Sequence, residues 1–377
     1  MTLRAQRTSF GRPMRSMRST RARRGAAIIS ALLVVALSAI LVSGMLWRQQ
    51  VQLRRIENQR LLAQAQWIAR ASLDWTRLVL RSEADTTAGI TYLGGTWGVP
   101  LAKTRLSDFL GQIGEAHAEQ GADTWISGSI EDAQARFNLR DLVAASAPGS
   151  LQLNLTQIEA FARLLQILGL NSQLAKNTAV YLRSGLAYSA TRFQAQTTAA
   201  NSGSQTQTLA AGGGSADGGN YTDNPGLADA ESNSGVAPLL MTSVDSLLDV
   251  PGFTPDVVAR LRPFVTVLPT VTPVNMNTAS AEVIASVVTG LSLSNAQALV
   301  AHRQNVFFRN VADVQLALQG AGVKEVSVDT TQIDVNTSYF LVHGRVQHER
   351  AEVDRTTLVW RDPLTHTTRI VRVRDEP

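Results

Sequence analysis

Few side chains in this sequence are grouped as chemistry requires. The five histidines, His117, His302, His343, His348 and His366, never fall at the His-Glu-x-x-His spacing that puts two imidazoles on one helix face. There is no cysteine, which removes disulfides, thiolate metal sites and cysteine nucleophiles together. Neither a Gly-x-Ser-x-Gly elbow nor a P-loop occurs. Glu131 and Asp132 are adjacent in an alternating run, so a strand there points them to opposite faces and denies them a shared substrate. Asp217, Asp223, Asp229 and Glu231, among Asn220 and Asn224, supply the hard oxygen donors that calcium takes, but not at EF-hand spacing. A solvated polar loop is the simpler reading of them, with a structural calcium ion as the alternative. The expectation is a protein without catalysis and without any cofactor beyond that ion.

Phosphate recognition is the next chemistry to weigh. Gly169, Gly252 and Gly290 each punctuate a pair of helical patterns, over Thr156–Leu182, Ser243–Leu261 and Ala281–Arg303. A helix-hairpin-helix that grips DNA needs a Gly-x-Gly turn, so that backbone N–H groups meet a phosphate unobstructed. Here Thr254 and Ser292 replace the second glycine, Asp256 adds a repelling charge, and no lysine lies near either turn. The three units read as helical packing modules, with no nucleic acid expected.

The bond between Gly25 and Ala26 is the remaining candidate. Eight arginines precede it, ending in Arg23-Arg24, and the uncharged run Ala26–Leu46 follows. A secretory signal is cut after its apolar core, whereas the plausible cut here lies before it, so the helix stays with the mature chain. This is the arrangement that a pilin-like precursor presents to a prepilin peptidase. Position 30, the fifth mature residue, is Ser30 and not the glutamate of filament pilins. At about 1.5 Å per residue the run spans about 30 Å, the thickness of a bilayer core. The arginines predict a cytoplasmic N-terminus, a single pass through the inner membrane and a periplasmic body. Removing those eight charges from a formal net charge of +5 leaves −3, a poor balance for gripping nucleic acid.

The elements that position these residues follow from periodicity. From Arg48 to about Ser82 apolar residues recur at helical spacing among arginines, predicting an amphipathic helix laid over a sheet. Asp123–Asp132 alternates, with Trp125, Gly128 and Ile130 read as one face. Tyr339–Glu349, Ala351–Trp360 and Thr365–Arg374 read as antiparallel strands, the last two joined near Asp362-Pro363. The fold class is α+β: a pilin-like fold, with a long N-terminal transmembrane and amphipathic helix on an antiparallel sheet, interrupted by an all-α domain of helix-hairpin-helix (SAM-like) repeats. The expected divisions are a cleaved leader 1–25, a transmembrane helix 26–47, a pilin-like helix and first strands 48–145, an inserted α-helical domain 146–325 carrying a flexible loop 194–235, and C-terminal strands 326–377.

Four stretches give the chain a family resemblance: Arg24-Gly25-Ala26-Ala27 with its downstream apolar run, Ile130-Glu131-Asp132 with Ala135-Arg136-Phe137-Asn138-Leu139, Leu247–Leu268 around Val250-Pro251-Gly252-Phe253-Thr254, and Pro273-Val274-Asn275-Met276-Asn277-Thr278-Ala279. With these the chain resembles the K minor pseudopilins of type II secretion systems. The leader is longer than the family's, pointing to a start at Met14 or Met17. The resemblance implies a pseudopilus-tip subunit that starts assembly for export of folded proteins across the outer membrane. Its implied partners are the I and J minor pseudopilins, the major pseudopilin, the prepilin peptidase and the inner-membrane assembly platform. It also raises calcium as a possible ligand. A minor pilin of a type IV pilus is the alternative within the superfamily, and a membrane-anchored helix-hairpin-helix DNA-binding protein the alternative outside it. N-terminal mass analysis of the mature protein is expected to find Ala26 first; a chain that retains Gly25 overturns the processing assignment.

Overall fold

The computed structural model describes residues 21–112, 123–147, 150–201, 239–320, 329 and 331–376, and the chain divides after Ala63 into two compact units. Helix α1 (Arg21–Thr87) is continuous, as the absence of proline allows; its two glycines are Gly25, near the start, and Gly44. In the second unit, from Gln64 on, α1 turns one stripe inward: Ala65, Ala69, Leu73, Leu80 and Ala84 are buried. Their spacing of mostly four residues keeps them on one helix face, and the alanines allow close approach to a sheet.

That sheet has five antiparallel strands: β1 (Leu101–Arg105), β2 (Thr124–Asp132), β9 (Tyr339–His348), β10 (Ala351–Arg361) and β11 (Thr368–Glu376), paired in that order. A short helix α2 (Leu106–Gln112) links β1 toward β2. Ile126 on β2, with Val342 and Val346 on β9, packs under α1, and Trp97 meets Phe340 edge-on at 5.8 Å. Period-two geometry groups Ile126, Gly128 and Ile130 on this inner face. Trp125 therefore lies on the other face, contrary to the sequence expectation, between Lys103 at 5.5 Å and Arg105 at 5.1 Å.

Strands β2 and β9 are hydrogen-bonded neighbours, yet the whole helical part of the chain lies between them in sequence. It holds β3 (Phe137–Asn138), the hairpin β4 (Val143–Ala147) and β5 (Ser150–Leu153), and helices α3 (Leu155–Ile167) and α4 (Leu174–Asn201). After residue 238 come a 3-10 turn at Val244–Asp249, α5 (Pro255–Leu261), β6 (Val265–Thr266), β7 (Val274–Asn275), α6 (Ala281–Val287), α7 (Leu293–Asn305), α8 (Val311–Gly320) and β8 (Ile333–Asp334). One apolar core from Phe137 to Val335 serves all of it, with Phe137 and Phe161 stacked at 5.4 Å. Two short parallel pairs, β3 with β6 and β7 with β8, tie distant segments together. The expected loop at 194–235 begins later than read: α4 runs on to Asn201, with no glycine or proline after Gly185 to end it sooner. The rest of that stretch, with Gly212-Gly213-Gly214, lies outside the described residues.

Two inner-face glycines, Gly128 and Gly344, are cross-strand partners but are not equivalent. A Cβ on Gly128 would stand 2.6 Å from the His343 carbonyl oxygen, so only glycine lets the strands approach there. At Gly344 a Cβ would meet nothing within 4 Å, and its φ lies outside the left-handed region. Gly344→Ala is expected to raise stability by about 0.5–1 kcal/mol through lower chain entropy. Gly128→Ala is expected to cost about 1–3 kcal/mol by overpacking. Thermal unfolding of the two variants checks both signs.

Candidate functional site

The backbone of α1 already includes Gly25 and Ala26, and Ser30 is exposed on its surface. From Ile28 to Leu46 the large apolar side chains, Leu32, Leu33, Leu37, Ile40 and Leu41 among them, are exposed. The segment is long and apolar enough to cross a membrane. No carboxylate interrupts this surface, and Ser30 brings only a hydroxyl to it.

The three sequence-predicted turn glycines all adopt positive φ: 68° at Gly169, 96° at Gly252 and 80° at Gly290. Gly169 closes α3 in a left-handed cap, with the Leu170 N–H donating to the Leu165 carbonyl at 2.8 Å. Gly252 follows Pro251 in a turn closed by the Phe253 N–H on the Val250 carbonyl, before α5. Gly290 separates α6 from α7. The helix starts beyond the last two turns are already capped: Thr254 Oγ1 accepts the Val257 N–H and Ser292 Oγ accepts the Asn295 N–H. The Thr254 and Ser292 hydroxyls thus engage backbone N–H groups at both helix starts, and Asp256 lies in the first turn of α5.

The densest polar arrangement lies where the inserted part meets the sheet. Asp132, at the last position of β2, is buried, and its Oδ2 accepts from Asn275 Nδ2 at 2.8 Å, Thr278 Oγ1 at 2.5 Å and Thr337 Oγ1 at 2.7 Å. Its Oδ1 accepts the Gln134 N–H at 2.8 Å. Asn275 Nδ2 also reaches the Thr91 carbonyl at 3.1 Å, just past the end of α1. Arg361 donates to the carbonyls of Leu80 and Thr337 and to Thr91 Oγ1, so sheet, helix end and insertion share one network. Burial pushes the Asp132 carboxyl above its usual pKa, and the donated hydrogen bonds oppose that shift. Burial also lowers the Arg361 guanidinium, against the pull of Asp132 and Glu83.

A second cluster supports the first. Asn138 Nδ2 donates to Asp141 Oδ1, the Thr270 carbonyl and Thr272 Oγ1, while its Oδ1 accepts the Arg140 and Leu268 N–H groups. Asn277 pairs with both backbone groups of Phe308 at 2.8 Å. The runs around Asp132 and Asn275 that carry the family resemblance thus meet in space as this joint. Sequence reasoning missed two contributors, Glu83 and Arg361. Glu83 Oε2 accepts from Thr96 Oγ1 and the Trp97 N–H, and a Cβ on Gly95 would stand 1.7 Å from its Oε1. The only sequence signal was an acid late in an apolar helix followed by Gly94-Gly95.

Glu131 points the other way, as expected, pairing with Arg136 at 2.5 Å and lying 3.8 Å from His343 Nε2. Contact with Glu131 raises the His343 pKa against the effect of burial. His366 sits in the turn before β11, 2.8 Å from Asp85. Among the described residues no group of three or more acids and histidines is placed to hold a metal ion. Asp217, Asp223, Asp229 and Glu231 lie outside the described residues, and so does His117.

The two buried aspartates differ in a testable way. All four bonds of Asp132 come from donors spread over both oxygens, so Asp132→Asn turns an NH2 group onto a donor and is expected to cost about 1–3 kcal/mol. Asp141 receives the Asn138 and Thr272 donors on Oδ1 alone, which an asparagine carbonyl replaces. Burial holds the Asp141 carboxyl well above its ordinary value. The folded state therefore keeps a proton that the unfolded state has lost, and this site's contribution falls as pH rises from about 4 through the raised folded pKa. Asp141→Asn is expected to flatten that slope with little loss at neutral pH. Unfolding midpoints of both variants measured across pH check these expectations.

Comparison with known proteins agrees with this geometry. Two family models, each described as type II secretion system (T2SS) protein K, match residues 135–270 and 274–336. The type II secretion system protein K of Pseudomonas aeruginosa is 26% identical over 352 residues, covering 90% of this chain and 89% of that protein. A chain in the crystal structure of the GspK-GspI-GspJ complex from the enterotoxigenic Escherichia coli type 2 secretion system has the same fold. It matches with a TM-score of 0.54 and 13% identity, over 86% of this chain and 99% of that one. With residues 135–270 and 274–336 matched, more than half its length, the chain belongs to the type II secretion system protein K family and is a minor pseudopilin.

Proposed function

We propose that this minor pseudopilin caps the pseudopilus and joins I- and J-type minor pseudopilins to start its assembly. The observation that carries the proposal is the place of the insertion. It leaves the sheet at Asp132 and returns at Tyr339, the end where α1 finishes beside Thr91 and Arg361, and Gln64 lies at the opposite end against His348. A subunit built this way carries its extra domain on the end of the head where the next subunit of a filament would stack. Ser30 supports the same position, because a buried helix bundle tolerates the usual glutamate only when a neighbour's amine pairs with it. A subunit without that carboxylate makes a poor repeating unit.

In this reading Gly25–Ala26 is the prepilin peptidase cleavage site and Ala26–Trp47 the inner-membrane anchor, with the folded body in the periplasm. The units around Gly169, Gly252 and Gly290 are helix-hairpin-helix packing modules without a phosphate site. The hydroxyl caps at Thr254 and Ser292 favour that assignment over DNA binding. Membership of the protein K family favours secretion over a type IV pilus role. The full chain, co-expressed with the I- and J-type pseudopilins of the same system and extracted in mild detergent, is expected to co-purify with them. A deletion strain is expected to lose secretion of its exported proteins and to keep twitching motility. Failure to co-purify, together with normal secretion in the deletion strain, overturns the proposal.

A further inference from the structure

Val342 on β9 packs under α1, so its neighbour His343 lies on the opposite, outer face of the sheet. There a chain of polar side chains runs diagonally across β2, β9, β10 and β11. Arg136 donates to Glu131 Oε2 at 2.5 Å, and Glu131 Oε1 stands 3.8 Å from His343 Nε2. His343 Nδ1 lies 3.0 Å from Oγ1 of its cross-strand partner Thr356, and Thr356 Oγ1 donates to Glu376 Oε1 at 2.9 Å. The neighbouring charges have partners of their own. Arg345 is held by Asp354 and lies 3.5 Å from Glu352, and Arg374 lies 3.6 Å from Asp245.

The hydrogens available decide how this chain works. A hydroxyl has one hydrogen to donate, and Thr356 gives it to Glu376, so toward His343 the threonine accepts and Nδ1 must donate. A neutral ring with its hydrogen on Nδ1 has a bare lone pair on Nε2. That atom is buried, has no hydrogen-bond partner among the described residues, and faces a carboxylate that repels a lone pair. The other neutral tautomer turns an Nε2 hydrogen toward Glu131, but its Nδ1 then needs a donor, and Thr356 is the one beside it. Thr356 can serve Nδ1 only by leaving Glu376. The imidazolium, a donor at both nitrogens, satisfies both ends at once.

We propose that His343 is a proton-operated latch on the C-terminal strand: its imidazolium ties Glu131 to Thr356, and when one ring proton leaves to solvent the Thr356 hydroxyl turns to Nδ1 and releases Glu376. The neutral ring keeps its hydrogen on Nε2 because Glu131 stays ionised; His343 and Arg136 hold that carboxyl below its usual range, against burial. Glu376 ends β11, an edge strand paired on one side only, so its release lets that end fray. Contact with Glu131 foremost, then the charge of Glu376, raises the imidazole above its ordinary 6.5, against burial and Arg136. The latch is therefore closed below pH 6.5 and opens as pH rises through the raised folded value. It operates wherever the subunit sits in the pseudopilus.

Nitrogen-15 NMR of the imidazole rings, on histidine-labelled full chain in detergent micelles, tests this, with His343→Gln identifying the His343 signals among the five histidines. His343 is expected to titrate above 6.5 and to carry its hydrogen on Nε2 once neutral. Amide protection factors of residues 372–376 are expected to fall in step with that titration. Glu131→Gln is expected to weaken proton binding at His343 about tenfold and to move the loss of protection to lower pH by the same factor. Glu376→Ala, at an exposed position, is expected to uncouple protection of β11 from the titration. If Glu131→Gln does not fold, as followed by near-ultraviolet circular dichroism, Glu376→Ala decides alone. The proposal is overturned by a wild-type His343 that titrates at or below 6.5, by a neutral ring with its hydrogen on Nδ1, or by β11 protection that ignores the titration. An unmoved midpoint in folded Glu131→Gln, or fraying that still follows the titration in Glu376→Ala, overturns it equally.

Discussion

The second unit depends on one buried carboxylate. Asp132 ends a central strand where water cannot reach it, and a lone charge there would be costly unless its acceptor capacity were filled. The inserted domain fills it: Asn275 and Thr278 come from the far side of the insertion, and Thr337 from the return to the sheet. The insertion and the sheet must therefore fold against each other, since each leaves the other's polar groups unsatisfied when apart. Arg361, stacked 4.7 Å over Phe340, carries the network to the end of α1. Three parts that a sequence would treat as separate modules become one body.

That coupling is what an assembly subunit requires. The apolar first half of α1 needs lipid or partner helices around it, so the forces of assembly enter through the helix. Glu83 and Arg361 anchor the end of the helix to the loop at Thr96-Trp97 and to the sheet, and the Asp132 network passes the load to the helical domain. A hinge at this joint would let the domain swing; a filled hydrogen-bond shell resists that, because each displaced partner leaves a buried polar group unpaired. The account makes the domain a fixed crown on the head.

How much of this was legible in the sequence depended on the range of the interaction. The inward stripe of α1 and the strands β9–β11 were readable because their periods of about 3.6 and 2 are written locally. The glycine turns at 169, 252 and 290 were readable because positive φ selects glycine at a helix end. Strands β3, β6, β7 and β8 were not, since two residues carry no period and their pairing comes from tertiary contact. The joint was hidden for the same reason. Asp132 finds its side-chain partners 143, 146 and 205 residues along the chain, and nothing local marks an aspartate as the centre of a network. The motifs that signalled the family were visible as letters, while their reason, that Asp132 and Asn275 bond to each other, was not. Trp125 was assigned to the wrong face by grouping an odd with two even positions, which strand geometry forbids.

The central claim, that Ser30 and the crown confine this subunit to one end of a filament, is tested most directly by where it lies on assembled pseudopili. Gold labelling of a tagged full chain on pseudopili overproduced by an otherwise intact system, imaged by electron microscopy, reads this out. The account predicts label at one terminus of each filament and none along the shaft. Label repeated along the shaft would contradict it.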